Sequence, residues 1–170
     1  DTCDYKCIDP LLGTEEDFVS LCNAAHKLGI KIILDGVFSH TGSNSIYFDK
    51  KKIFGNGAYS NENSPYRSWY NFKSYPHSYD SWWGIDTLPC VNENDKAFTD
   101  FIIESENSVI AHWLSCGADG FRLDVADELP DEFILRLRQR MKKINPKALL
   151  IGEVWEDASN KISYGVRRSY

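Results

Sequence analysis

The apolar positions of the chain repeat one arrangement: an amphipathic helix, a short break and a buried strand that leads to an acidic residue. In the first copy, Thr14 and Asp17 predict a capping box, Gly29 ends the helix, and the strand at residues 30–34 leads to Asp35. The apolar positions of this first helix are Phe18, Leu21, Cys22, Ala25 and Leu28.

Two further copies follow. A helical pattern across residues 101–114 ends near Gly117, and the strand at residues 120–123 leads to Asp124. A third helix at residues 133–144 is broken by Asn145 and Pro146, and the strand at residues 148–152 leads to Glu153. Three strands therefore end at carboxylates.

Helix, break and strand in this order predict an α/β fold with parallel strands, because each helix returns the chain to the same edge of the sheet. The carboxyl ends of such strands carry the chemistry of barrels and of open sheets. One acidic residue there is usually a helix cap or a loop charge, but three together favour a catalytic site. Glycine-rich phosphate-binding patterns are absent from the sequence, which disfavours nucleotide-binding folds.

An insert of about fifty residues interrupts the repeat, which is too long for an ordinary connection and predicts a small subdomain or lid. It spans residues 38–92 and is rich in aromatic residues. We expect most of them to pack the insert's own core, while flat aromatic faces also suit sugar rings. Trp82 and Trp83 are the first candidates for a sugar-binding surface.

Composition narrows the class of protein. The 170 residues are 42% hydrophobic and 26% charged, as in an ordinary soluble domain, and no apolar run approaches the roughly 20 residues that span a bilayer. A net charge of −6 and a pI near 5.2 exclude a basic surface for nucleic acid. We therefore expect neither a nucleic-acid partner nor a membrane partner.

The cysteines predict reduced thiols. Their number is odd, five, and they include no C-x-x-C pair, which argues against a zinc site and against a complete disulfide framework. The sequence also lacks an N-x-[ST] glycosylation site, which favours a cytoplasmic, bacterial setting.

Three motifs resemble a known family. Residues 35–40 (DGVFSH), 120–128 (GFRLDVADE) and 152–155 (GEVW) resemble, in order, the first three sequence signatures of glycoside hydrolase family 13, the α-amylase family. Residues 88–92 (LPCVN) and the VADE tail resemble the neopullulanase, cyclomaltodextrinase and maltogenic amylase group. The resemblance covers essentially the whole chain.

The resemblance implies a partial (β/α)8 TIM barrel, about strands 3 to 5 with helices 2 to 4, and a lid inserted after strand 3. Residues 1–37 and 93–170 would belong to the barrel and residues 38–92 to the lid. A complete barrel takes about 250 residues, so we expect a piece of the catalytic domain. The fourth family signature, which brings the third catalytic carboxylate, lies outside this sequence.

The resemblance also implies the catalytic groups: Asp124 as the nucleophile and Glu153 as the general acid/base. A retaining glycosidase needs one ionised and one protonated carboxyl about 5 Å apart. Arg122 shares a strand face with Asp124 and should keep it ionised. Repulsion from Asp124 and partial burial should raise the pKa of Glu153.

Further site residues follow from the resemblance alone. His40, Glu128 and Trp155, together with Arg122, would bind substrate, and Asp35 would support Arg122. No cofactor is required. Ser39 replaces the asparagine that helps hold calcium in many amylases, and a hydroxyl is a poorer ligand for a hard cation, so a metal at that position is doubtful.

The implied activity is hydrolysis of α-1,4 and α-1,6 links in maltodextrins, cyclodextrins or pullulan. A transglycosylase remains an alternative, since it differs only in whether sugar or water resolves the glycosyl intermediate. A non-catalytic interaction domain is an alternative from another class, but such relatives lose the catalytic carboxylates. A homo-oligomer of the full-length protein stays open, and the 170 residues alone should be inactive because their sheet edges are unpaired.

Overall fold

The computed structural model describes residues 2–155, 157–158, 162–163 and 166–167, the last two pairs as backbone only. The α-helices are α1 (Glu15–Lys27), α2 (Lys96–Thr99), α3 (Val109–Ser115) and α4 (Asp131–Ile144). The strands are β1 (Ile33–Gly36), β2 (Phe72–Ser74), β3 (Ser78–Tyr79), β4 (Gly120–Leu123), β5 (Leu149–Gly152), β6 (Ile162–Ser163) and β7 (Val166–Arg167). Across these residues, no helix has both the length and the apolar character needed to cross a bilayer.

Helix α1 begins with the predicted capping box. The Asp17 amide donates to the Thr14 hydroxyl, and the Thr14 amide donates to the Asp17 carboxylate. These bonds satisfy two amides that would otherwise lack a partner at a helix start. Gly29 follows the last turn with φ of 74°, a conformation that favours glycine, so the predicted end of the helix is confirmed.

The central sheet has the strand order β1, β4, β5, and both pairings are parallel, as the repeat predicts. The first strand starts later than predicted, at Ile33. The Ile30 amide still bonds to the end of α1 at Ala25, and the Ile32 amide donates to the Asp119 carboxylate, so neither joins the ladder. Asp35 consequently lies inside β1, opposite Arg122.

The prediction of one helix across residues 101–114 is wrong. The chain forms α2, one π-helical turn over Asp100–Glu104, and then the separate helix α3. Ser105 adopts an extended conformation at the break, and the Ser108 hydroxyl accepts the Ala111 amide to cap α3. Serines in this stretch compete for backbone hydrogen bonds and favour a new helix start over a continuous helix.

The insert, residues 38–92, is closed at its base by its own two ends. The Thr41 amide donates to the Pro89 carbonyl, and the Val91 amide donates to the Ser39 carbonyl. Its interior is aromatic, as expected, and includes the buried side chains of Tyr47, Phe48, Trp69 and Tyr70. These rings continue into the core beside α2, where Trp69 packs edge-on against Phe98, so the insert is fixed to the sheet and helix layers.

Strands β4 and β5 approach so closely at Gly120 that a side chain has no room. A Cβ at this position would lie 2.0 Å from the carbonyl oxygen of Leu149. Glycine therefore sets the separation of the two strands that lead to Asp124 and Glu153.

Replacing Gly120 with Ala should force β4 and β5 apart and lower the free energy of unfolding by about 3 kcal/mol, the upper range for overpacking a filled site. Urea unfolding followed by tryptophan fluorescence measures the loss. Gly55→Ala is the control, since that glycine has φ of +76° with nothing within 4 Å of an added Cβ, and should cost only about 1 to 2 kcal/mol of backbone strain. Equal losses in the two variants would contradict the clash.

Candidate active site

The guanidinium of Arg122 joins three carboxylates from three neighbouring strands. Its Nη1 lies 2.6 Å from Asp35 Oδ1 and 3.0 Å from Asp124 Oδ1. Its Nη2 lies 2.7 Å from Glu153 Oε2. Three carboxylates at or near the C-terminal ends of β1, β4 and β5 therefore meet around one cation on one face of the sheet. We call Asp35, Arg122, Asp124 and Glu153 the Arg122 cluster.

Successive side chains of β4 point to opposite faces of the sheet, which explains why Arg122 and Asp124 lie on the same face. Leu123 and Val125 are buried on the opposite side, whereas Arg122 and Asp124 point together. The ladder also extends past the strands: the Asp124 amide donates to the Gly36 carbonyl, and the Glu153 amide donates to the Leu123 carbonyl. Both catalytic candidates thus sit on backbone that the sheet holds rigidly.

Val125 adopts a left-handed conformation, with φ of 41°. This region is unfavourable for a β-branched residue, and strain of this kind concentrates at functional sites. The turn aims the Val125 amide at Glu153, whose Oε2 accepts it at 3.1 Å. The strain therefore provides Glu153 with a backbone donor.

The pKa directions are opposite to those predicted. Burial raises the pKa of Asp124, and repulsion from Asp35 and Glu153 raises it further. The charge and hydrogen bond of Arg122 lower this pKa, but by less than the other effects raise it. The Val125 amide lowers the pKa of Glu153, and the contacts with Trp155, Arg122 and Asp124 lower it further. The prediction omitted the Val125 donor and the sharing of one guanidinium by three carboxylates.

His40 lies at the start of the insert and is buried. Its Nδ1 is 2.9 Å from the Ser39 hydroxyl, and its ring stacks on Trp82 with a centroid separation of 5.4 Å. Burial lowers the pKa of His40, although the charge of Asp124 acts in the opposite direction. A neutral imidazole is therefore favoured at neutral pH.

Glu128 positions two tryptophans. Its carboxylate accepts hydrogen bonds from Trp82 Nε1 at 2.8 Å and from Trp83 Nε1 at 3.1 Å. Trp155 contacts Trp83 edge-on, with a centroid separation of 5.6 Å. Trp83 and Trp155 are 69% and 59% exposed, so the three tryptophans form an open aromatic surface, which we call the tryptophan rim.

The rim and the Arg122 cluster are continuous. Trp155 follows Glu153 by two residues and lowers the pKa of its carboxyl. His40 stacks on Trp82, and the charge of Asp124 acts on its ring. Every predicted site residue therefore lies in the cluster or at the rim.

Ser39 is a poor ligand for a calcium ion beside His40. The hydroxyl of Ser39 is buried and is directed at His40 Nδ1. It is a single neutral oxygen where a hard cation prefers several oxygen ligands with carboxylate among them.

Sequence reasoning missed Glu93. It is partly buried one residue after the LPCVN motif, and burial raises its pKa to about 7, with the charge of Glu128 raising it further. An acidic residue between Asn92 and Asp95 looks like a solvated loop, so its position after the motif was the only signal. The structure thus places Glu93 within electrostatic reach of Glu128.

The raised pKa of Glu93 should make the stability of the folded protein depend on pH. Because its folded pKa of about 7 exceeds the usual 4.5, its contribution is fully present below pH 4.5 and is lost as pH rises through about 7. Glu93→Gln should raise the melting temperature relative to the parent protein at pH 8 and change it little at pH 4. Thermal unfolding at both pH values measures this effect, with the exposed Glu106→Gln as control. A difference independent of pH would contradict the assignment.

Comparisons with known proteins show the family of the chain. Residues 1–169 match the family described as "Alpha amylase, catalytic domain". An amylopullulanase from Thermoanaerobacter thermohydrosulfuricus is 41% identical over 94% of this chain and 12% of its own length. Neopullulanase 2 from Thermoactinomyces vulgaris is 35% identical over 94% of this chain and 27% of its own length.

Solved structures give the same result. Ttha1563 from Thermus thermophilus superposes with a TM-score of 0.80 at 38% identity, covering 97% of this chain and 34% of that one. Cyclic α-maltosyl-(1→6)-maltose hydrolase from Arthrobacter globiformis superposes with a TM-score of 0.79 at 27% identity, covering 92% and 35%. The chain thus spans a small part of the curated relatives and about a third of these structures. It belongs to the family of α-amylase catalytic domains.

Proposed function

We propose that the protein containing this chain is a retaining glycoside hydrolase that acts on α-glucans. The observation that carries the proposal is the Arg122 cluster, in which one guanidinium contacts Asp124 and Glu153 from adjacent strand ends. Supporting it are relatives named amylopullulanase, neopullulanase and cyclomaltodextrinase, which are glycosidases of α-glucans. Maltodextrins, cyclodextrins and pullulan are the proposed substrates.

In the proposed mechanism, Asp124 attacks the anomeric carbon and forms a glycosyl intermediate. Glu153 protonates the leaving oxygen and then activates the water that releases the sugar. Both steps need the two carboxyls on the same side of the sheet, and the shared contact with Arg122 supports this arrangement. The chemistry uses side chains of the chain itself and requires no cofactor.

Glu153 must hold a proton when the leaving oxygen departs, although its pKa is lowered by the Val125 amide and Arg122. A sugar that enters between Arg122 and Glu153 would weaken their contact and exclude water, and both changes raise the pKa of a carboxyl. The acid would therefore form as substrate binds. Arg122 would keep Asp35 and Asp124 as partners.

We further propose that β1, β4 and β5 are strands 3 to 5 of a (β/α)8 barrel, with residues 1–37 and 93–170 in the barrel and residues 38–92 as its lid. The parallel order and the carboxylates at the strand ends support this assignment. In the described residues β1 and β5 each have one unpaired edge, where the remaining barrel strands would pair.

Substrate contacts are assigned from exposure and position. The tryptophan rim offers two exposed indoles beside Glu153, and its flat faces suit sugar rings. His40 would donate to a sugar hydroxyl next to the cleaved bond, since Trp82 and Ser39 fix its ring. Glu128 would act through Trp82 and Trp83 by holding both indoles.

Two substrates distinguish the catalytic roles. Asp124→Asn should reduce kcat at least about 1000-fold on both maltotriose and α-maltosyl fluoride, because both need the nucleophile. Glu153→Gln should reduce kcat about 100- to 10,000-fold on maltotriose and far less on the fluoride, whose leaving group needs no proton. Initial rates of sugar and fluoride release measure these effects.

The matched controls are Asp86→Asn and Glu106→Gln, which make the same changes at exposed residues of the chain. Both should keep the parent rates. Turnover of maltotriose by Asp124→Asn at more than about a tenth of the parent rate would refute the nucleophile. Equal losses on both substrates in Glu153→Gln would refute the acid role.

The rim is tested separately. Trp83→Ala should raise KM for long maltodextrins about threefold to tenfold, the worth of one aromatic contact, and leave kcat on maltosyl fluoride unchanged. Phe54→Ala removes an aromatic ring that is 49% exposed elsewhere on the insert and should change neither value. A fall in kcat on the fluoride, with KM unaltered, would contradict a binding role for Trp83.

A further inference from the structure

A second group of chemically active side chains lies outside the Arg122 cluster, where α1 meets α3. It consists of Glu15, His112 and Cys116, and one ligand atom of each lies within 4.8 Å of the others. Glu15 stands in the first turn of α1, and the other two residues lie on α3 and its C-cap. No step of the proposed hydrolysis uses these groups.

Helix geometry explains why the side chains of Glu15, His112 and Cys116 come together. His112 and Cys116 are four residues apart and share one face of α3. The same face packs on α1, where Phe18 meets Trp113 edge-on at a centroid separation of 5.2 Å. Glu15, one turn before Phe18, is thereby placed over His112, with Oε2 3.1 Å from Nε2.

His112 Nε2 is buried, and among the described residues it makes no well-aligned hydrogen bond, although Glu15 Oε2 is only 3.1 Å away. A buried ring nitrogen that lacks a well-aligned hydrogen bond is costly. A cation placed between the nitrogen and the carboxylate oxygen would satisfy both atoms without a linear hydrogen bond. The Cys116 sulfur, buried at 8% exposure, lies within reach of the same point.

We propose that Glu15, His112 and Cys116 bind one Zn²⁺ ion. Carboxylate oxygen, imidazole nitrogen and thiolate sulfur are its three usual protein ligands, and a water molecule would complete the tetrahedron. On binding, the Cys116 thiol releases its proton to solvent and the thiolate coordinates the metal, with no change of oxidation state. Glu15, whose side chain is 50% exposed, gives the ion access from solvent.

The sequence indicated no zinc site because it lacks a C-x-x-C pair. This one would be assembled from two helices that are distant along the chain, and only their packing reveals it. Such an ion would join the start of α1 to the end of α3 and stabilise the folded state by mass action.

Calorimetric titration of the chelator-treated full-length protein with Zn²⁺ tests the proposal. We expect one equivalent to bind, and we expect Glu15→Gln, His112→Ala and Cys116→Ser each to weaken that binding at least about tenfold. Cys3→Ser and His77→Ala are matched controls that remove the same ligand types elsewhere, at an exposed thiol and in the insert, and should bind like the parent. Asp124→Asn should also bind like the parent, which separates this site from the Arg122 cluster.

Cobalt provides a second measurement. Co²⁺ bound to the parent protein should show a thiolate-to-cobalt charge-transfer absorption that Cys116→Ser abolishes and Cys3→Ser retains. Because Glu15 is half exposed, Glu15→Gln should fold normally. It therefore still tests the site if the substitution of the buried Cys116 unfolds the protein. Titration without a Zn²⁺ equivalent, or an equivalent that persists unchanged in Glu15→Gln and His112→Ala, would overturn the proposal.

Discussion

The contact of Arg122 with three carboxylates is the interaction on which the site depends. Asp35, Asp124 and Glu153 would repel one another at these distances, and a buried or half-buried carboxylate without a partner is unfavourable. One guanidinium offers a planar set of donors that reaches all three. Lysine, a point charge with a flexible stem, could not span the same three strand ends.

The same interaction connects the sheet to the chemistry. The strand order β1, β4, β5 places an acidic group at each of three neighbouring ends, and Gly120 keeps β4 and β5 close. The left-handed turn at Val125 then directs an amide at Glu153. Sheet spacing, one strained residue and one cation together determine where both carboxyls point and how readily each holds a proton.

Much of this architecture was predictable because it follows from local patterns. The capping box at Thr14, the glycine stop at Gly29 and the helix break at Asn145 each depend on a few adjacent residues. The parallel sheet followed from the repeated order of elements. The motifs that resemble the family selected Asp124 and Glu153, and the structure brings both to Arg122.

The remaining features depend on contacts between distant residues. The π-helical turn before Ser105 and the bonds from Trp82 and Trp83 to Glu128 leave no periodic trace in the sequence. The predicted pKa directions of the two catalytic candidates were wrong. For Asp124, burial outweighs the charge of Arg122, and for Glu153, the Val125 amide outweighs burial. Both effects are set by tertiary structure. Glu93 was missed for the same reason.

The closure of the insert on itself has an evolutionary consequence. Because the pairing of Ser39 with Val91 and of Thr41 with Pro89 joins its first and last residues, length changes in the exposed loops between these points leave the attachment in place as long as the buried aromatic rings are kept. His40 lies at this junction, and Trp82 and Trp83 lie beyond it within the insert. New specificities could therefore arise by remodelling the loop's middle, while the reacting groups keep their places.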